Sequence, residues 1–371
     1  MLKKIYDRIV LWSVAKFFPW LVVVGARRSH MSHNSGVAGR GQLRIVDNPE
    51  FPAHDFFQPG REFTIRVRHA AVGWYDDAML IVRSMSVKFA DTNYKSPFDL
   101  EMNTGRITFF WNALSFLRFV SVREADRGDD YLKYYQKYHR GLLGARSGLR
   151  RLPDSVESLY YYSQTPYIWE STDGTRYYVK FRGIPGDRRP ESGMPDPRDI
   201  STPEALHDQR VLAGGDPPSM TYSKDEFRER CAKGDGTRYI LQIQLHRIQP
   251  GEDDAQILNS NYEWDEKTHP WMDLAKIHAT EAFDYAESNN HYFWVGHVPQ
   301  GIQIPPAKSI RDPNSLLYMR KRVWPAFYMR WLLTKIFGLP PEIREKTRDL
   351  RKDLSDPAYD LMPDQLASEN K

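Results

Sequence analysis

One cysteine, Cys231, stands in a chain of 371 residues. An internal disulfide is therefore excluded, as is any metal site built on several thiolates. Nothing demands an oxidising compartment, and a cytoplasmic location is expected. An excess of one charge is also missing: 52 basic residues face 48 acidic ones, a formal net of +4. No basic run is interleaved with aromatics, so a nucleic-acid interface is not expected. There is no internal repeat. A long hydrophobic run is lacking too. The most apolar stretch, Ile9 to Val24, is interrupted by Lys16 and Pro19 and falls short of the roughly twenty residues that a spanning helix needs. Residues 1–28 are expected to form an apolar or amphipathic helix. Three fates stay open for it: peripheral membrane contact through residues 1–24, packing as a plain soluble helix, or removal as a signal segment.

What the chain has in quantity is short alternating runs bounded by Pro, Gly and Asp. EFTIRVRHA, AMLIVRSMSVKFAD, FDLEMNTGRITFFWNA, SLYYYSQTPYIWES, GTRYYVKFRGIPGD and TRYILQIQLHRIQP read as strands, and Ala255 to Trp264 as another. About eight strands with few alternating helices predict an α+β protein, a closed antiparallel β-barrel with surrounding helices, over residues 29–338. Between Gly183 and Ser219 the chain turns polar and predicts a long excursion between strands, and residues 339–371 read as a polar tail.

Two stretches carry candidate chemistry. GVAGRGQLRIV, Gly36 to Val46, sets three glycines ahead of an alternating strand, which suits a backbone passing close to something flat or bulky. A dinucleotide loop would have the strand first and a helix after, so that reading fails. His30 and His33 lie just upstream, with no acidic or thiol partner nearby to make them a metal site. Towards the other end, Asn314 to Leu333 has helical periodicity. Arg320, Trp324, Tyr328 and Trp331 recur three or four residues apart and so share one face, and Pro325 should kink the helix there. A buried aromatic helix with basic flanks would show the same pattern.

Taken in order, HNSGVAGRGQLRIVDNPEFPAHDFF, RVRHAAVGWYDDA, RSMSVKFAD, FDLEMNTG with FFWN, LYYYSQ, RGIPGD, LQIQLH, WDEKTHPWMDLAKI and NSLLYMRKRV resemble the catalase superfamily. The likeness is strongest to its minimal branch, the haem allene oxide synthases and related fatty-acid hydroperoxide enzymes. It runs from about Arg27 to Trp331 and implies haem b. On the distal side it implies His33 as catalytic histidine, with His30 as the alternative, Asn103 as the distal amide, and Ser32 as the hydroxyl that this branch places before the histidine. It implies Arg83 as partner of a haem propionate, Phe116 as the ring stacked on the haem, and Arg320 with Arg330 on the proximal side.

The chemistry explains such a set. A flat, mostly apolar disc with two anionic arms asks for aromatic walls and guanidinium partners. Peroxide chemistry asks for a neutral imidazole to move a proton and an amide to orient the two oxygens. The sequence departs from the pattern at two places. The arginine that the family sets three residues before the distal histidine is replaced by His30, unless a two-residue insertion has moved Arg27 and Arg28. The proximal ligand should be a tyrosine four residues after Arg320, and that position is Trp324, whose indole nitrogen donates only. Tyr328, about 6 Å further along a helix, is the alternative metal ligand.

The resemblance implies a protein that rearranges or dehydrates a fatty-acid hydroperoxide, with a lipoxygenase-type enzyme as the supplier. The alternatives are a peroxidase or catalase-like reduction of hydrogen peroxide, which Ser32 argues against, and a haem-free catalase-fold scaffold or lipid-binding protein, for which Trp324 argues.

Overall fold

The structure is a computed structural model. It describes residues 2–25, 33, 36–71, 77–124, 128–207, 218–219, 221–323, 329, 332, 336, 345–347 and 359–361. Helix α1 (Leu2–Gly25) precedes four successive antiparallel strands, β1 (Gly36–Ile45), β2 (Glu62–Ala71), β3 (Ile81–Lys88) and β4 (Asp99–Thr104). Helices α2 (Ala113–Glu124), α3 (Gly128–Lys137) and α4 (His139–Gly148) follow, then the short strands β5 (Leu149–Arg150), β6 (Tyr161–Tyr162) and β7 (Tyr167–Glu170) and the long β8 (Arg176–Pro185). After α5 (Pro203–His207) and α6 (Tyr222–Lys233) come β9 (Thr237–Arg247), β10 (Met272–Ala282), α7 (Tyr285–Asn289), β11 (Ile302–Gln303) and α8 (Ser315–Val323). In the C-terminal stretch, β12 (Glu345–Thr347) pairs antiparallel with β13 (Tyr359–Leu361).

The sheet closes on itself. Around the ring the order is β8, β6, β4, β3, β2, β1, β10, β9, and β9 pairs again with β8. This is the expected eight-stranded antiparallel barrel, and closure leaves no exposed edge along the ring. Period-two alternation decides what faces inward. On β2, Ile65 and Val67 join the buried core with Met85 and Val87 of β3, Leu100 and Met102 of β4, and Phe181 of β8. Each such fully buried side chain contributes about 1.5–3 kcal/mol.

Two expectations change. Ala255 to Trp264 is a run of turns, in which Asn259 accepts from the local Asn261 N–H and Ser260 Oγ reaches across to Phe110 O in place of a strand ladder. The strand that completes the ring is β10, between β1 and β9. The glycines of GVAGRGQLRIV lie within β1 and not ahead of it. At Gly41, where the register with β10 slips, a Cβ would run into the backbone of His278 and Ala279.

Over residues 2–16, helix α1 packs by one side. Leu11 lies in a cluster with Ala113, Ile310, Leu316 and Met319, and buried Asp7 binds Arg311 Nε at 2.9 Å. Leu2, Ile5, Tyr6, Ile9 and Trp12 remain exposed. Among the described residues no helix is long and apolar enough to cross a membrane.

Candidate functional site

The outward face of β1 to β4 forms a wall of three cross-strand rows, because residues directly paired in a ladder share a face. The first row is Arg40, Arg66, Lys88 and Asp99; the second is Ala38, Arg68, Ser86 and Glu101; the third is Gly36, Ala70, Ser84 and Asn103, continued by Tyr162 of β6. Charge fills the first row, alternates with small side chains in the second, and is absent from the third.

The first row is covered by the segment from Phe283 to His297. Phe283, His291 and Phe293 stack in series, Arg66 lies 4.7 Å from the Phe283 ring centre, and the Lys88 ammonium 4.9 Å from that of Phe293. Lys88 and Asp99 are both fully buried and paired at 2.8 Å; Asp99 also accepts from Trp294 N–H at 3.0 Å and meets His297 Nδ1 at 2.7 Å. Burial lowers the Lys88 pKa and Asp99 opposes the shift. Burial, with Arg66, Arg68 and Lys88 close by, also takes His291 down to about 3, so it is neutral at physiological pH.

His33 precedes β1 by three residues, upstream of Gly36 in the third row. Its backbone is left-handed, φ 61°, a conformation in which histidine is enriched among non-glycine residues. Arg68 holds it there. One guanidinium nitrogen donates to His33 O at 2.8 Å and Nε donates to Ser288 O at 2.8 Å. Gly36 permits this, since a Cβ would sit 2.7 Å from the Arg68 guanidinium carbon. The register therefore brings Asn103 into one row with Gly36, with Ala70 and Ser84 between. Period-two alternation in RVRHA is the signal for Arg68, but it cannot say which face looks towards His33.

The other expected residues are distributed as follows. Arg83 is on the opposite face of β3 from Ser84, buried, and donates to the carbonyls of Asp77 and of Met79, the latter at 2.9 Å. With Lys224 and Ser223 it surrounds the Asp77 carboxylate beside a cavity of about 20 Å³ that His69 and Tyr161 also line. Phe116, on α2, meets Phe110 edge-on at 5.1 Å. Arg320, on α8, pairs with Glu101 of the second row at 2.6 Å. Ser32, Trp324, Tyr328 and Arg330 lie outside the described residues, as do His30 and Pro325. Glu101 was not distinguished in the sequence, where DLEMN gives no sign that its carboxylate meets a helix more than two hundred residues away.

No protein-family model matches the chain. It is 36% identical over 306 residues to an allene oxide synthase-lipoxygenase protein of Plexaura homomalla, covering 81% of this chain and 28% of that one. A linolenate 9R-lipoxygenase of a Nostoc strain is 27% identical over 304 residues, 78% of this chain and 37% of that one. The chain thus spans less than two fifths of the length of these two relatives. Among solved structures, a fungal catalase superposes with a TM-score of 0.62 at 18% identity, over 88% of this chain and 65% of the other. The chain belongs to the catalase-fold family related to allene oxide synthase-lipoxygenase.

In this catalase-fold family member, the residues present do not fit a haem held between the wall and α8. Arg320 is implied below such a disc, and Glu101, two residues from Asn103 on the same face, would lie above it. A flat ring in van der Waals contact on both sides needs about 7 Å between its walls. The two side chains touch at 2.6 Å. The position implied for the axial ligand is Trp324, which has no lone pair to give.

Proposed function

We propose that this catalase-fold chain works in fatty-acid hydroperoxide metabolism, receiving its substrate from a lipoxygenase-type enzyme. The observation that supports the proposal is the cross-strand row of Gly36, Ala70, Ser84 and Asn103, with His33 three residues before Gly36 and its carbonyl held by Arg68 of the same wall. The side chains between Gly36 and Asn103 are small, and Asn103 and His33 have complementary roles. The Asn103 amide donates to one peroxide oxygen and accepts from the O–H of the other without changing charge. A neutral His33 imidazole takes a proton released from the carbon chain and gives it to the outer oxygen, which leaves as water. Arg68 is a positioning residue, because it fixes the backbone that carries His33. The relationship to an allene oxide synthase-lipoxygenase protein supports a rearrangement, which conserves the atoms of the hydroperoxide, or a dehydration, which removes the outer O–H and one hydrogen of the carbon chain as water; neither consumes an external reductant. The exposed apolar stripe of α1 supports peripheral contact with the lipid that holds such substrates.

Binding and turnover of a fatty-acid hydroperoxide, against the matching hydroxy acid and hydrogen peroxide, test the proposal. Preference for the hydroperoxide, with loss of its conjugated-diene absorbance, is expected. Turnover should fall at least about tenfold in His33→Phe and in Asn103→Ala, the scale of one acid–base group. Equal binding of hydroxy acid and hydroperoxide without turnover would favour the second reading, a haem-free lipid-binding module, which the Glu101–Arg320 contact supports.

A further inference from the structure

We infer that Glu101 and Arg320 form a bolt that fastens α8 to the barrel wall and shuts the seat where a planar, dianionic cofactor would lie, so that the folded chain takes none there. The inference is independent of the substrate proposed above.

The pair links wall and helix directly. Arg320 Nη2 donates to Glu101 Oε2 at 2.6 Å, and both side chains are largely buried, with 25% and 16% exposure. In that setting a charge-assisted bond is short and strong, and separating the charges would leave each without its counter-ion. Glu101 Oε1 is buried and meets no hydrogen-bond donor among the described residues, so Arg320 is the cation this carboxylate depends on. Burial raises the Glu101 pKa; Arg320 and Lys88 oppose that rise, while Asp99 adds to it.

Two more features hold α8 down around the bolt. Leu317 is 1% exposed within the barrel core, and Trp294 Nε1 donates to Lys321 O at 3.1 Å. Lifting α8 by the width of a disc would undo all three contacts. The carboxylate also acts by its sign. A second anion placed against Glu101 would be repelled, and Arg320, the cation suited to a propionate or a phenolate, is already neutralised.

The test is titration with ferric haem of the full-length wild type, Trp324→Tyr, Glu101→Val and the double variant Glu101→Val/Trp324→Tyr, read by the Soret band and haem stoichiometry. Near-UV circular dichroism confirms folding. Wild type and Trp324→Tyr should take up no stoichiometric haem. The double variant should bind one per chain, at least about tenfold more tightly than Trp324→Tyr, a factor that corresponds to a small part of the strength of a buried pair. One haem per chain in wild type or in Trp324→Tyr overturns the inference, and so does failure of the folded double variant to bind. A second measurement needs no haem. In Glu101→Gln, which keeps the volume, amide exchange across Ser315–Val323 should accelerate at least about tenfold. Unchanged exchange there would mean that the pair does not hold the helix.

Discussion

At the residue scale, the barrel carries a histidine whose titration should be visible in stability. His69 is 3% exposed inside the ring, with Nε2 3.1 Å from the Tyr239 hydroxyl. Burial, with Arg68 adjacent, takes its pKa from 6.5 to about 3. The unfolded chain therefore binds a proton there below about pH 6.5 that the folded chain refuses until about pH 3. The stabilising effect is complete above the unfolded value and is lost as pH falls through that window, by up to about 1.4 kcal/mol per pH unit. Denaturant unfolding from pH 7 to 4 should show a shallower loss for His69→Phe than for wild type. Equal slopes would place the proton elsewhere. Arg68 gives a second residue-scale expectation. Arg68→Met keeps the bulk but removes both donors to His33 O and Ser288 O, and should lower kcat for the hydroperoxide with little change in KM. Arg68→Lys, a single-point donor, should recover only part.

At the element scale, the question is what holds the wrapping segment from Phe283 to His297 on strands β1 to β4. Lys88 and Asp99 are its buried anchor, and removing one partner of such a pair leaves an uncompensated charge. Asp99→Ala should cost about 3–5 kcal/mol, measured as a lower midpoint of thermal or denaturant unfolding. Replacement of both, Lys88→Met with Asp99→Leu, should cost less than Asp99→Ala alone. The same logic separates what could and could not be read locally. Strands β2, β3, β8 and β9 were legible because each is half a period-two pattern that stands on its own residues. Strand β10 was not, because Pro270 and the polar run ahead of it resemble a loop, and its place is set by pairing with β1 and β9 on either side.

At the scale of the whole molecule, α1 gives the protein a sidedness. Asp7 and Leu11 fix it to the body, and Leu2, Ile5, Ile9 and Trp12, at helical spacing, look outward with Lys3, Lys4 and Arg8 close by. A stripe of that kind with cationic flanks is suited to an anionic lipid surface. Co-sedimentation with vesicles containing anionic phospholipid should exceed that with neutral vesicles, and Ile5→Gln with Ile9→Gln should abolish the difference. Retention of the difference in that variant would assign the attraction to surface charge elsewhere.

The sequence by itself determined the barrel, its antiparallel strands, the place of His33 and Asn103 in their motifs, and the tryptophan where a tyrosine ligand would stand. These are local facts: alternation, turn residues, and one side chain that has no lone pair. Only the tertiary structure decided that Arg68 supports His33, that Arg83 faces Asp77 and Met79 across the other side of its strand, and that Glu101 meets Arg320. Each depends on which of two faces a strand turns to its neighbours, and on a helix from the far end of the chain coming to rest against it. A one-residue change of register would reverse the first, and no spacing within DLEMN or YMRKR encodes the second.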